Sequence, residues 1–448
     1  MKRYSASEAV STAARRTLTV VALFLAITVI PTPSTAAQDR SPQPQYEIQS
    51  DYYHITSGVD RDHASATARR MEAMLQLYNS HFRFPLEELS EPFRVRIFAS
   101  QDRYDTYLQT VIGETRQGFV YLHYRDPRKS ELVGYYTPDG GLEQSLIHQS
   151  FVQFLRGFIQ HPPLWIREGF AVYYEASRYN PETNQAAYRE NLAWLDTLKA
   201  ILDTDAIPFD AIPFDTIPFD TILSMTQEEA RNNLNVFYPQ AWGMVSFLLD
   251  GGNPQAGNPQ ARLQKASRPA TSRPETTNPD ISRILWDSIS AMKPQASLEE
   301  NVDAVYRSAF RWVDQTDLTR KFRNYIASRK TYQGWVSYGV EAFNNEEYQT
   351  AEDAFINAVN LDEDETGYVP YYYLGLIHYQ HGTYSLADYY YQEALARGSD
   401  NALTLYALGA NAYADNRYDD AEEYLEETVR IDPSYRDKAR TILTRIRG

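Results

Sequence analysis

Gly339, Gly375 and Gly409 stand 36 and then 34 residues apart in the last quarter of this 448-residue chain. The same two spacings recur in Ala351, Ala387 and Ala421, and again in Tyr348, Tyr384 and Tyr418. Ala358 and Ala394 mark a third small position, which the last unit fills with Thr428 before closing on Asp432-Pro433. A period near 34 leaves few folds open. Each unit is read as a pair of helices, too small to bury its own apolar face, so that neighbouring pairs stack to form one core. Small residues at fixed points let one helix of a pair approach the other closely. The two additional residues fall in the acidic stretch 362–366, between pairs. Residues 330–448 are expected to hold three such pairs and a capping helix near 434–447.

The rest of the chain is bounded first by what it lacks. There is no cysteine, which excludes disulfides, thiolate nucleophiles and cysteine-ligated metals; any metal would rest on the eight histidines, Asp or Glu. Hydrophobic residues make up 43% and charged residues 23%, a globular composition at a length that suits two or three domains. Lys2, Arg3, Arg15 and Arg16 precede an apolar run at 18–30, followed by Pro31 and the small residues Ser34, Thr35, Ala36 and Ala37. A thirteen-residue apolar run suits a signal peptide better than a membrane span, so 1–37 is read as a signal, with an uncleaved anchor as the alternative. Residues 38–45 are a polar linker. Export to the bacterial periplasm, or secretion, is the expectation. Without the prefix, which carries four positive charges and one negative, the net charge moves from −16 to −19. So acidic a surface repels nucleic acid and anionic lipid, leaving no membrane contact beyond a signal anchor.

Between 46 and 329 the pattern mixes strands and helices. Helical apolar spacing at 64–82, alternation at 93–98 and a short apolar run at 132–136 predict a helix and two strands, with further helices at 141–158 and 165–178. Two segments are low in complexity. Residues 206–220 are three tandem pentapeptides built on Ile-Pro-Phe-Asp, and 252–261 repeat Gly-Asn-Pro-Gln-Ala. Proline every five residues opposes helix and central strand alike, so 205–221 and 251–280 are expected to be expanded loops outside the core.

The chemistry concentrates in 146–175. His148 is followed by Gln149 and, four residues after His148, by Val152; the element Trp165-Ile166-Arg167-Glu168-Gly169-Phe170-Ala171 comes about twenty residues on. This stretch resembles the gluzincin metallopeptidases, specifically the peptidase MA-like domains, whose pattern is His-Glu-x-x-His on one helix and Trp-(Leu/Ile)-x-Glu-Gly-(Phe/Leu)-Ala on the next. In that pattern two histidines one turn apart and a Glu from the second helix hold zinc, and the Glu beside the first His takes a proton from the zinc-bound water. The resemblance puts His148 and Glu168 at two ligand positions. It puts Gln149 at the general-base position and Val152 at the lost ligand. A neutral amide cannot act as a base, and Val152 offers no lone pair. His161, in the turn between the helices, is a candidate substitute ligand; the other expectation is that His148 and Glu168 pair with each other, or with Arg156 or Arg167. Tyr238-Pro239-Gln240-Ala241-Trp242 matches a further recurrent element, in which Tyr238 is expected to pack between helices rather than steady an oxyanion. Ser150 has no base evident in sequence.

The repeats at 330–448 resemble tetratricopeptide repeats, which implies an all-α solenoid. That geometry puts Tyr372, Tyr379, Tyr406 and Tyr413 on the concave face, where such repeats take an extended peptide or a partner helix; packing between the pairs is the alternative. Residues 331–448 carry 21 acidic and 8 basic residues, which favours a basic or neutral ligand. The expected fold is an α+β zincin-like domain at 46–329, with a small sheet and an all-helical second half, followed by the solenoid. The expected function is non-catalytic binding of protein or peptide partners in the cell envelope, with no cofactor. The alternatives are a zinc peptidase with an unusual ligand set around His148 and Glu168, and a pure repeat scaffold on a supporting first domain.

Overall fold

The computed structural model describes residues 45–202, 217–253, 279–361 and 367–448. The signal and linker, the first two Ile-Pro-Phe-Asp copies and the acidic stretch at 362–366 lie outside them. The described chain forms two compact units that meet in sequence at Ala327 and Ser328.

The first unit begins with a five-stranded sheet: β1 (Tyr46–Gln49), β2 (Tyr53–Ser57), β3 (Phe93–Phe98), β4 (Val120–Leu122) and β5 (Glu131–Tyr135). Their spatial order is β1-β2-β3-β5-β4, with β2, β3 and β5 parallel and the two edge strands antiparallel. Alternation divides the residues of β3 between two faces. Phe93, Val95 and Ile97 enter the main core, whereas Phe98 joins Tyr104 and Leu108 of α2 (Gln101–Ile112) on the other side. The main core is built with α1 (Arg61–Phe82), α3 (Glu143–Phe158) and α4 (Leu164–Tyr174). Helix α1 is capped by the Asp60 side chain and stops at Arg83 in the left-handed conformation.

Two sequence expectations need correction here. Helix α4 ends at Tyr174, because 178–187 folds back as a hairpin, β6 (Arg178–Asn180) and β7 (Gln185–Ala187); the second half of the unit is therefore not wholly helical. The Asn180 side chain accepts the N–H groups of Glu182 and Thr183, and Asn184 takes φ 55°.

The second correction concerns the pentapeptides. After α5 (Ala193–Leu202), the third copy enters the core instead of looping out: Ile217 and Phe219 are buried, and Phe219 opens α6 (Phe219–Ser224). The Gln240 amide clasps the main chain of Ile217, accepting its N–H at 2.9 Å and donating to its carbonyl. The reason lies in the next residues. Copies one and two are each followed by a residue, then Ile-Pro, and a proline at the fifth position of the helix would lack the N–H that bonds back four residues. The third copy runs into Thr221-Ile222-Leu223, so the helix can continue and bury Ile222 and Leu223. The unit is completed by α7 (Gln227–Asn232), α8 (Leu234–Leu249), α9 (Pro279–Ala291), α10 (Leu298–Val305), a π-helical turn (Tyr306–Phe310) and α11 (Gln315–Ser328). The start of α9 trims the expected loop at 251–280 by two residues.

The second unit is helical throughout its described residues. Three consecutive pairs, α12 (Tyr332–Asn344) with α13 (Tyr348–Leu361), α14 (Val369–Gln380) with α15 (Tyr384–Ala396), and α16 (Asn401–Ala414) with α17 (Tyr418–Ile431), are followed by α18 (Arg436–Arg447). The repeat glycines sit where the two helices of a pair touch. A Cβ on Gly339, Gly375 or Gly409 would come within 2.7, 2.5 and 2.8 Å of Phe355, Tyr391 and Leu425, which share the 36- and 34-residue spacings. Ala351, Ala387 and Ala421 are fully buried, as are Ala358, Ala394 and Thr428.

Candidate functional site

Helices α3 and α4 pack against each other inside the first unit, and Pro162 and Pro163 set the turn between them. Helix α4 is buried along its whole length, and Gly169 lets α8 approach: a Cβ there would lie 2.8 Å from the Ala241 carbonyl. This close crossing brings Tyr238 over Glu168.

His148 and Glu168 meet. His148 Nε2 lies 3.2 Å from Glu168 Oε2, and His148 Nδ1 lies 3.3 Å from Oε2 of Glu175. Glu168 also accepts from Arg167 Nε at 2.7 Å and from the Tyr238 hydroxyl at 3.4 Å. Glu175 is steadied by Asn191 Nδ2 at 2.6 Å and Trp194 Nε1 at 3.2 Å. His148 and Glu168 are 1% and 0% exposed, so each charge needs its partners. Burial alone would push the His148 imidazole down, but the hydrogen bonds and charges of Glu168 and Glu175 more than reverse this and raise its pKa to about 9. Burial alone would raise the Glu168 carboxyl; the Arg167 charge and then the His148 bond hold it at about 2. At neutral pH His148 is therefore an imidazolium donating through both nitrogens.

The remaining motif positions have other uses. Gln149 Oε1 accepts the backbone N–H of Tyr121 at 3.3 Å, and Ser145, one turn earlier on α3, accepts that of Phe119 at 2.7 Å. Phe119 precedes edge strand β4 and Tyr121 lies at its centre, so these bonds give α3 the two N–H groups on the side of the strand away from β5. Val152 is fully buried in the apolar core. Ser150 shares its hydroxyl with Tyr78 at 2.8 Å and the Ile147 carbonyl at 2.9 Å. His161 lies within electrostatic reach of Arg156 and His123.

This donor set does not fit a zinc ion. Val152 offers no lone pair at the third ligand position, and Glu168 is engaged by a guanidinium that already supplies positive charge. Among the described residues no three His, Asp or Glu side chains group as a metal site requires. Sequence reasoning left Glu175 unassigned and gave Tyr238 only a packing role, without its hydrogen bond to Glu168. For Glu175 a signal existed: it follows Glu168 by seven residues, two turns along the same helical face.

No protein-family model matches the chain, and no curated protein matches it. Among the described residues no helix is long and apolar enough to cross a membrane.

In the second unit, Tyr372 and Tyr379 stand on α14 and Tyr406 and Tyr413 on α16, all half-buried. Their rings contact Tyr391, Tyr384, Tyr435 and Tyr418 respectively, with centroids 5.5–6.2 Å apart. Burial, then the neighbouring Tyr435 and Tyr373, push the Tyr372 phenol up to about 12. Each ring packs within the helical stack and keeps part of its surface in solvent.

Proposed function

We propose that this is an exported, non-catalytic protein, in which a zincin-like unit that has lost its peptidase chemistry carries a tetratricopeptide solenoid that binds a protein or peptide partner in the cell envelope. The observation that carries the reading is the fate of the motif side chains. Gln149 stands where a base would be and bonds a backbone N–H, while Glu168 is neutralised by Arg167 and His148. An enzyme of this class needs those groups free to hold a metal and move a proton. On the repeat side, half-exposed tyrosines at equivalent positions of successive pairs, in a region of net charge −13, suit a basic or neutral extended segment.

The test has two arms. Zinc content of the purified chain lacking 1–37, dialysed against trace zinc, is expected to stay under about a tenth of an equivalent. One equivalent that is lost in His148→Ala would sink the non-catalytic reading. Capture of partners from envelope extract is expected to fall in the double variant Tyr372→Ala, Tyr406→Ala; unchanged capture would count against the repeats.

A second reading, in which the first unit only supports the repeats, is favoured by the bonds from Ser145 and Gln149 to Phe119 and Tyr121. Those N–H groups are the ones an added peptide strand would need. A cleft variant such as Gln149→Ala would leave partner capture unchanged under this reading.

A further inference from the structure

Arg167 belongs to a second group of side chains besides the one that holds His148. Arg156 on α3, His123 just past β4 and His161 between α3 and α4 lie within electrostatic reach of one another, and Arg167 acts on both Arg156 and His123. Arg156 and Arg167 are 5% and 4% exposed, whereas His123 and His161 reach solvent. Two buried guanidiniums this close repel, and each alone is costly to bury. Glu168 acts on Arg156 as well, and its oxygens serve Arg167 Nε, His148 and Tyr238. Two buried nitrogens of the group, Arg167 Nη2 and His123 Nδ1, have no hydrogen-bond partner among the described residues.

We propose that Arg167 Nη2 and His123, with Arg156 supplying charge and His161 at the solvent side, form a binding site for a small oxyanion, a carboxylate or a phosphate. A guanidinium edge matches either group in shape and charge. A metal cation would meet like charge. Water would satisfy a donor without adding the negative charge that a guanidinium edge favours. Burial, then Arg156, His161 and Arg167, hold His123 neutral, at about 3, so its ring can donate one hydrogen bond without adding charge. A peptide would enter by its terminal carboxylate rather than as an added strand, since Ser145 and Gln149 hold the outer N–H groups beside β4. The site stands whichever partner the repeats take.

Isothermal titration of the full chain, at constant ionic strength with chloride as reference, tests this. The probes are inorganic phosphate and two short peptides that differ only in a free or amidated C-terminus. Saturable binding of phosphate, or of the free-ended peptide over the amidated one, is expected, and the preferred probe identifies the source of the oxyanion. Arg167→Lys, His123→Ala and His161→Ala should each weaken it by at least about tenfold. Should Arg167→Lys lose its circular dichroism, the two half-buried histidines carry the test. No saturable binding of any probe at millimolar concentration overturns the proposal, as does binding that the histidine variants leave unchanged.

Discussion

The two units solve the problem of close helix packing in different ways. In the second, each helix pair touches at a glycine facing one large side chain, Phe355, Tyr391 or Leu425, and the solution repeats with the sequence period. In the first, α4 crosses α8 once, at Gly169, and the crossing carries a buried ionic cluster beside it. Repetition makes each position of the second unit interchangeable in role with its counterparts. The first unit has no counterparts: Arg167, Glu168, His148 and Glu175 depend on one another, so an error at one is passed to the rest.

The largest effect that would test this contrast is Glu168→Ala. It leaves Arg167 and His148 charged and buried without their shared carboxylate, and should cost about 3–5 kcal/mol. Five of the six tryptophans, all but Trp335, lie in the first unit, so urea unfolding followed by tryptophan fluorescence reads it. A loss under about 1 kcal/mol would mean that the cluster is no more interdependent than a surface pair. Its pH profile follows from opposite shifts of two histidines. His148 has a folded pKa of about 9, above its ordinary 6.5, so its contribution is complete below 6.5 and is lost as pH rises through 9. His123 is depressed to about 3, so its contribution is present above 6.5 and is lost as pH falls toward 3; Glu168, held at about 2, adds to the acid loss below 4.5. Stability of the first unit should therefore peak near pH 6.5. His148→Gln should flatten the alkaline limb, and an alkaline limb unchanged by that substitution would refute the assignment.

How much of this was legible in the sequence differs between the units for the same reason. The helix pairs and their small positions could be read because three copies state the rule three times. His148 and Glu168 could be read as one constellation because a motif spaces them. The Gln149 bond to Tyr121 could not, since it joins residues 28 apart across two elements that no periodicity links. The third Ile-Pro-Phe-Asp copy was hidden by its own repetition: proline spacing reads as loop, and only the change from proline to Leu223 marks the copy that enters the core. Phe219→Ala therefore ranks second in expected effect. It empties a buried aromatic site beside Phe322, where the ring centroids are 5.3 Å apart, and should cost about 3 kcal/mol by the same fluorescence measurement. A neutral outcome would return this copy to the status of a loop.

In the second unit the effects should be smaller and graded by geometry. Gly375→Ala gains helix propensity of about 1 kcal/mol but drives a methyl to 2.5 Å from the ring of Tyr391, which is 1% exposed. The balance should be a net loss of about 1–2 kcal/mol in thermal melts followed by circular dichroism. Gly339→Ala, facing Phe355 at 2.7 Å, should lose less. Gly409→Ala should lose least, because it meets Leu425, an aliphatic chain that can change rotamer more readily than a packed ring. The order 375, 339, 409 is the content of the prediction. Equal losses at all three would mean that helix pairing is governed by backbone approach and not by the facing side chain.

The smallest effect expected is that of deleting residues 206–210, one whole Ile-Pro-Phe-Asp copy. The copy that fills the core, clasped by Gln240, is the third, and the deletion leaves it and Leu223 untouched. It shortens the connection between α5 and α6 from 16 residues to 11, for which chain-closure entropy gives a gain of about 0.3 kcal/mol. The first-unit transition should thus stay within about 0.5 kcal/mol of the parent, while Phe219→Ala in the shortened chain should cost as much as in the full one. A larger penalty of Phe219→Ala once residues 206–215, both earlier copies, are deleted would show that an earlier copy can slip five residues into the Phe219 slot. That slippage would put a proline at the fifth position of α6, in place of Leu223. Its detection would mean that the Ile-Pro-Phe-Asp contacts outweigh the helix, and that the first unit, too, holds interchangeable parts.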